Sequence, residues 1–75
     1  MNQITPQQEY NAAMDSVSLL NAGQPTGMSN ADWYDMFRRN VEHLQIQIGK
    51  GAAYFGALDL TPFEKAVALP VPPKA

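Results

Sequence analysis

The chain has 75 residues, with no cysteine, a single histidine and a formal net charge of −2 from five basic and seven acidic side chains. These numbers exclude a disulfide framework and a Cys/His zinc site, and with so balanced a charge they argue against phosphate-dominated nucleic-acid binding. The length allows one domain, residues 1–75, with a small core.

Residues 1–4 are a lead-in without the charged and apolar regions of a signal peptide. Thr5-Pro6-Gln7-Gln8 then spells a helix start: Thr5 caps, Pro6 takes a position where its missing N–H costs nothing, and Gln8 reaches back. The helix runs over 5–22 with Tyr10, Ala13, Met14, Val17 and Leu20 on one face, and Leu19 points away from that face. Gly23-Gln24-Pro25-Thr26-Gly27 cannot continue it. A loop this short between two helices predicts an antiparallel hairpin.

The central helix is predicted over 29–49, about 20 residues and on the order of 30 Å. Ser29 is its cap, Asp32 fits a reciprocal capping box, and Met28 with Trp33 forms a hydrophobic staple. Trp33, Met36, Phe37, Val41, Leu44 and Ile48 make one apolar stripe, while Asp35, Arg38, Arg39, Glu42 and Gln45 face away. Ile46 falls in the middle of that polar side. Gly49 or Gly51 closes the helix. In the alternative, residues 49–58 carry it on past the glycines as one long rod.

Ala52 to Leu58 is apolar, short and interrupted by Gly56; it reads as a helical turn folding back, since a lone strand has no partner here. Thr61-Pro62-Phe63-Glu64 repeats the start signal, with Thr61 as cap of a short helix over 61–69 that buries Phe63, Ala66 and Val67 before Pro70 stops it. Residues 70–75 are an extended, proline-rich tail. The predicted fold class is all-α: a helical hairpin plus a short third helix. No apolar run approaches the roughly 20 residues of a membrane span, so a soluble chain is expected.

Candidate chemistry is thin. His43 sits at the border of the apolar stripe with no nucleophile or carboxylate set against it by spacing, and reads as a solvated boundary residue. Gly49-Lys50-Gly51 lacks the Walker glycine five positions earlier, where Leu44 stands, and follows a helix instead of a strand. Lys50 suits the negative end of a helix dipole. Asp35 and Glu42 bracket Arg38 and Arg39 at ion-pair spacing. Asp32 with Asp35 and Asp59 with Glu64 have no companion ligands. No catalytic residue, cofactor or metal is expected.

What remains is apolar surface. Ordering costs roughly 1.5 kcal/mol per residue, so a core this small leaves the folding balance near zero and a partner chain, self or foreign, is the expected supplement. Leu19 and Ile46 lie off their core stripes, and Tyr54, Phe55 and Leu58 add more than a two-helix core covers. These residues are the predicted partner contacts.

Trp33…Met36-Phe37-Arg38-Arg39-Asn40-Val41-Glu42-His43-Leu44, followed by Leu58-Asp59-Leu60-Thr61-Pro62-Phe63-Glu64-Lys65-Ala66-Val67, resembles a pattern in small proteins encoded by tailed bacteriophages. The likeness covers roughly residues 30–69; the pattern carries Trp-Thr where this chain has Tyr54-Phe55-Gly56. The resemblance implies a phage or prophage origin, and a place in the virion or the cytoplasm of a host cell. The expected function is therefore a non-enzymatic protein–protein interaction module, a virion or assembly protein acting as an oligomer. The alternative is a small regulator binding a host enzyme or nucleic acid through Arg38, Arg39 and Lys50.

Overall fold

The Thr5-Pro6 start behaves as its chemistry dictates. In a computed structural model describing residues 3–74, the Thr5 hydroxyl accepts from the Gln8 amide at 3.1 Å and Gln8 Oε1 accepts from the Thr5 amide at 2.9 Å. Helix α1 (Pro6–Ala22) follows and stops at Gly23, whose φ of 82° only glycine adopts without strain. Met1 and Asn2 of the expected lead-in, and Ala75 of the tail, lie outside the described residues. In the loop, the Gln24 amide bonds the Met28 carbonyl at 2.8 Å and Asn30 Oδ1 at 3.0 Å, tying the connection to the next helix.

Helix α2 spans Asn30–Phe55. The Ser29 hydroxyl caps it, accepting from the Asp32 amide at 3.1 Å, but the reciprocal bond from Asp32 is not made. Aspartate is one methylene shorter than the glutamate such a box uses. The helix does not end at Gly49, nor does it continue as a straight rod. It passes through Gly49 and kinks at Gly51, where φ is 60° and ψ is −163°, then resumes to Phe55 and closes at Gly56. That conformation is essentially reserved for glycine and costs other residues of order 1–3 kcal/mol. Gly51→Ala should therefore lower the melting temperature although its Cβ meets no atom within 4 Å. Gly49, in regular helix and equally open, gives the opposite sign: Gly49→Ala should add roughly 0.5–1 kcal/mol. Thermal melts of the two variants side by side check both signs.

The short helix α3 (Thr61–Val67) ends two residues earlier than its sequence suggests. Thr61 is inside it and is not the cap. Leu60 holds that position without a side-chain bond, and Asp59 Oδ1 instead accepts from the Thr61 amide at 3.0 Å. An aspartate two residues upstream takes that amide in an Asx turn, the amide that Glu64 would have to reach in a capping box. Beyond Val67 the chain has no regular structure through Lys74.

All three helices share one core of Ala13, Val17, Leu20, Trp33, Phe37, Leu44, Phe63 and Ala66, with Met28, Met36, Val41, Ile48 and Val67 packed around it. Trp33 lies edge-on to Phe37, ring centroids 5.8 Å apart. At the other end Tyr10, Phe55 and Phe63 form a triangle with centroids 5.0, 6.2 and 6.3 Å apart, one ring from each helix. Tyr10 completes it by donating to the Asp59 carbonyl at 2.6 Å. The fold is thus all-α, an antiparallel hairpin with a third helix across one side. Among the described residues there is no strand, and no helix is long and apolar enough to cross a membrane.

Candidate functional site

Two cross-links fix how α1 and α2 lie together. Ser16 Oγ is 3.1 Å from His43 Nδ1, and Lys50 Nζ is 2.7 Å from Glu9 Oε1. In both pairs the residue numbers sum to 59, so Leu19 stands level with Asn40, and Ile46 with Ala13. At about 100° per residue, Ala12 and Leu19 project from α1 within roughly 60° of Ser16, turned away from the core. Arg39 and Ile46 bear the same relation to His43 on α2. The hairpin therefore has one side covered by α3 and another bearing Ala12, Leu19, Arg39 and Ile46.

That uncovered side carries three of the four large exposed apolar residues among those described; the fourth, Val71, lies in the C-terminal segment near Tyr34 and Val41. Leu19 is 44% exposed, Ile46 61% and Ile4 68%. An open groove of about 780 Å³ runs along it, walled by Ile4, Gln8, Ala12 and His43 among others. The remaining predicted contacts are placed differently. Phe55, expected at the surface, is buried, because the kink at Gly51 turns its ring inward onto Tyr10 and Phe63. Tyr54 is half-buried and Leu58 likewise.

Tyr54 belongs to a polar clasp that the spacing of residues did not suggest. Its hydroxyl donates to Glu9 Oε2 while Lys50 donates to Oε1. Lys50 also lies 4.8 Å from the centre of the Tyr54 ring. Lys50 is thus engaged across the hairpin and not at the end of its own helix. The Lys50 ammonium and the Tyr54 hydroxyl, with a smaller contribution from Gln47, hold the Glu9 carboxyl below its ordinary value. The same bond pushes the Tyr54 hydroxyl above its ordinary value. Gln47 is buried beside them, its Oε1 without a partner among the described residues.

The lowered Glu9 value adds stability above 4.5, its ordinary pKa, and loses it as pH falls through the lowered one. The raised Tyr54 value adds stability below 10.0 that is lost as pH rises past it. Asp59, held down by Thr61, contributes to the acid limb as well. The stability lost in acid, below the ordinary values of 4.5 for Glu9 and 3.8 for Asp59, should thus come in two shares. Glu9→Gln should abolish one and leave the share due to Asp59, which acid titrations followed by circular dichroism will separate.

His43 is half-buried and bonded to Ser16, not simply solvated. Ser16 itself is 6% exposed, so its hydroxyl is not presented to a substrate. Arg38 lies 3.6 Å from Glu42, as the i, i+4 spacing predicts, and 5.9 Å from the Tyr34 ring. With Lys50 taken by Glu9, Arg38, Arg39 and Lys50 do not form a free basic stripe. Among the described residues no group of three His, Asp or Glu side chains could hold a metal ion. No family model matches the chain, and no curated protein or solved structure does either.

Proposed function

We propose that this chain is a small non-enzymatic protein–protein interaction module that docks through the uncovered side of its hairpin. One observation carries the reading: three large exposed apolar residues, Ile4, Leu19 and Ile46, stand on a side that no element of the fold covers, beside an open groove. An isolated exposed aliphatic residue means little, whereas several on one side mark a contact surface. The resemblance of residues 30–69 to small phage-encoded proteins supports a role as a virion or assembly component. The basic reading, a regulator working through Arg38, Arg39 and Lys50, has less support, since two of those cations already have carboxylate partners.

The test is the pair Leu19→Asp and Ile46→Asp, each placing a charge on the proposed surface without entering the core. Both should stay folded by circular dichroism, and both should lose association in sedimentation and in capture of phage structural proteins. Arg38→Ala should leave association unchanged. A wild-type chain that stays monomeric at high concentration and retains no partner at low salt overturns the reading.

A further inference from the structure

Resting on the reading above, we infer that the occupant of the uncovered side is a second copy of this chain, with Ile46 of each copy seated over Ala12 of the other. The antiparallel register carries the inference. Ile46 projects from α2 at the level of Ala13, and Ala12 projects from α1 at almost that level on the same side of the hairpin. One is the largest apolar knob of α2 on this side, 61% exposed; the other is a single methyl flanked by a groove that Ile4, Gln8 and His43 help wall. A two-fold axis parallel to the helices keeps each residue at its level and exchanges left with right. It therefore sets α1 of one copy on α2 of the other and brings both knobs over both small residues at once. Such a surface is complementary to itself, which an isologous dimer requires and a foreign partner does not.

The resulting assembly has four long helices, each antiparallel to its neighbours, the arrangement of an up-down bundle with short loops. One pair of charges opposes it: the same register sets Asp15 of one copy within about two residues of the level of Glu42 of the other, a like pair that salt screens. The face bears Asp15 and Glu42 as well as Arg39, and the residues nearest the axis are Ser16 and His43. The area is sufficient but small. The 17 residues of α1 span about 25 Å at 1.5 Å each, and a two-helix face is roughly 20 Å wide, so each copy offers about 500 Å². About 1,000 Å² in total is the lower limit for a specific interface, the size class of weak, exchanging contacts.

The chain has no cysteine, which makes the test clean. Ala12→Cys and Ile46→Cys, both at exposed positions, are made separately in the full chain, then mixed in equal amounts and oxidised. Seating of Ile46 over Ala12 predicts a disulfide-linked heterodimer in several-fold excess over either homodimer, and a wild-type chain that sediments as a dimer at high concentration. Predominant self-linking of the Ile46→Cys chain, in a wild type that still dimerises, overturns this geometry. A monomeric wild type giving no heterodimer, from which Ile46→Asp nonetheless removes a bound phage structural protein, overturns the second-copy inference and leaves the docking side standing. A monomer whose binding ignores Ile46→Asp removes both.

Discussion

Replacing Phe63 with alanine should detach α3 from the hairpin and bring the whole chain close to unfolding. Phe63 is fully buried, one of the two largest side chains so enclosed, and its ring touches both Tyr10 of α1 and Phe55 at the end of α2. Truncating a buried phenylalanine typically costs about 3–5 kcal/mol. Small domains have only about 5–15 kcal/mol in total. A helix of seven residues has no independent stability either, since isolated helices shorter than about 12–15 residues are marginal in water. The loss therefore spreads: without Phe63, Tyr10 and Phe55 face water and the kinked end of α2 has nothing to fold onto. A thermal melt should shift down by tens of degrees or disappear, with Phe63→Leu retaining most of the transition. A melt within a few degrees of wild type would show that α3 is an appendage and not part of the core.

The parts of this fold legible in the sequence are those fixed by local chemistry. The start of α1 follows from Thr5, Pro6 and Gln8 alone, and its end from Gly23. The stripe of Trp33, Phe37 and Leu44 is set by helical periodicity, and all three are buried. What was not legible depends on contacts between distant segments. A glycine in the left-handed region serves equally to end a helix or to kink it. Gly51 kinks α2 in a setting where Tyr54 reaches Glu9 and Phe55 reaches Tyr10, both more than 40 positions away in sequence. Without those contacts the spacing of Gly49 and Gly51 reads as a stop. Thr61 failed as a cap for a nearer reason: its amide is taken by Asp59, and the cap position falls one residue earlier, at Leu60.

The candidate site divides the same way. Leu19 and Ile46 are visible on a helical wheel as apolar residues on the wrong side, and both are exposed. Ala12 is invisible by that method, because an exposed alanine carries no signal until the register places it level with Ile46. Glu9 and Gln47 were equally hidden. A carboxylate on the border of α1 attracts notice only once the antiparallel pairing brings Lys50 to it at 2.7 Å. Phe55 misled in the opposite direction, since an aromatic residue in a glycine-flanked segment looks free until the kink turns it inward.

Trp33 separates folding from association. It is the only tryptophan, 6% exposed, and shares a cluster with Val17, Leu20 and Phe37 at the loop end of the hairpin. That burial has the two helices running past each other in the register set by Ser16 and His43. Trp33→Ala should cost about 3–5 kcal/mol and unfold the isolated chain. Ile46→Ala lies on the opposite side of α2 from this cluster, and removes no buried contact. It should leave the melt within a degree or two of wild type when measured below the concentration at which chains associate, and weaken association alone. Indole emission supplies the readout. Blue-shifted emission that moves red on denaturation is expected, unchanged by Ile46→Ala. Emission at the wavelength of free tryptophan from a chain that is still helical would put the indole in water, and the core side of α2 would then be the side assigned here to docking.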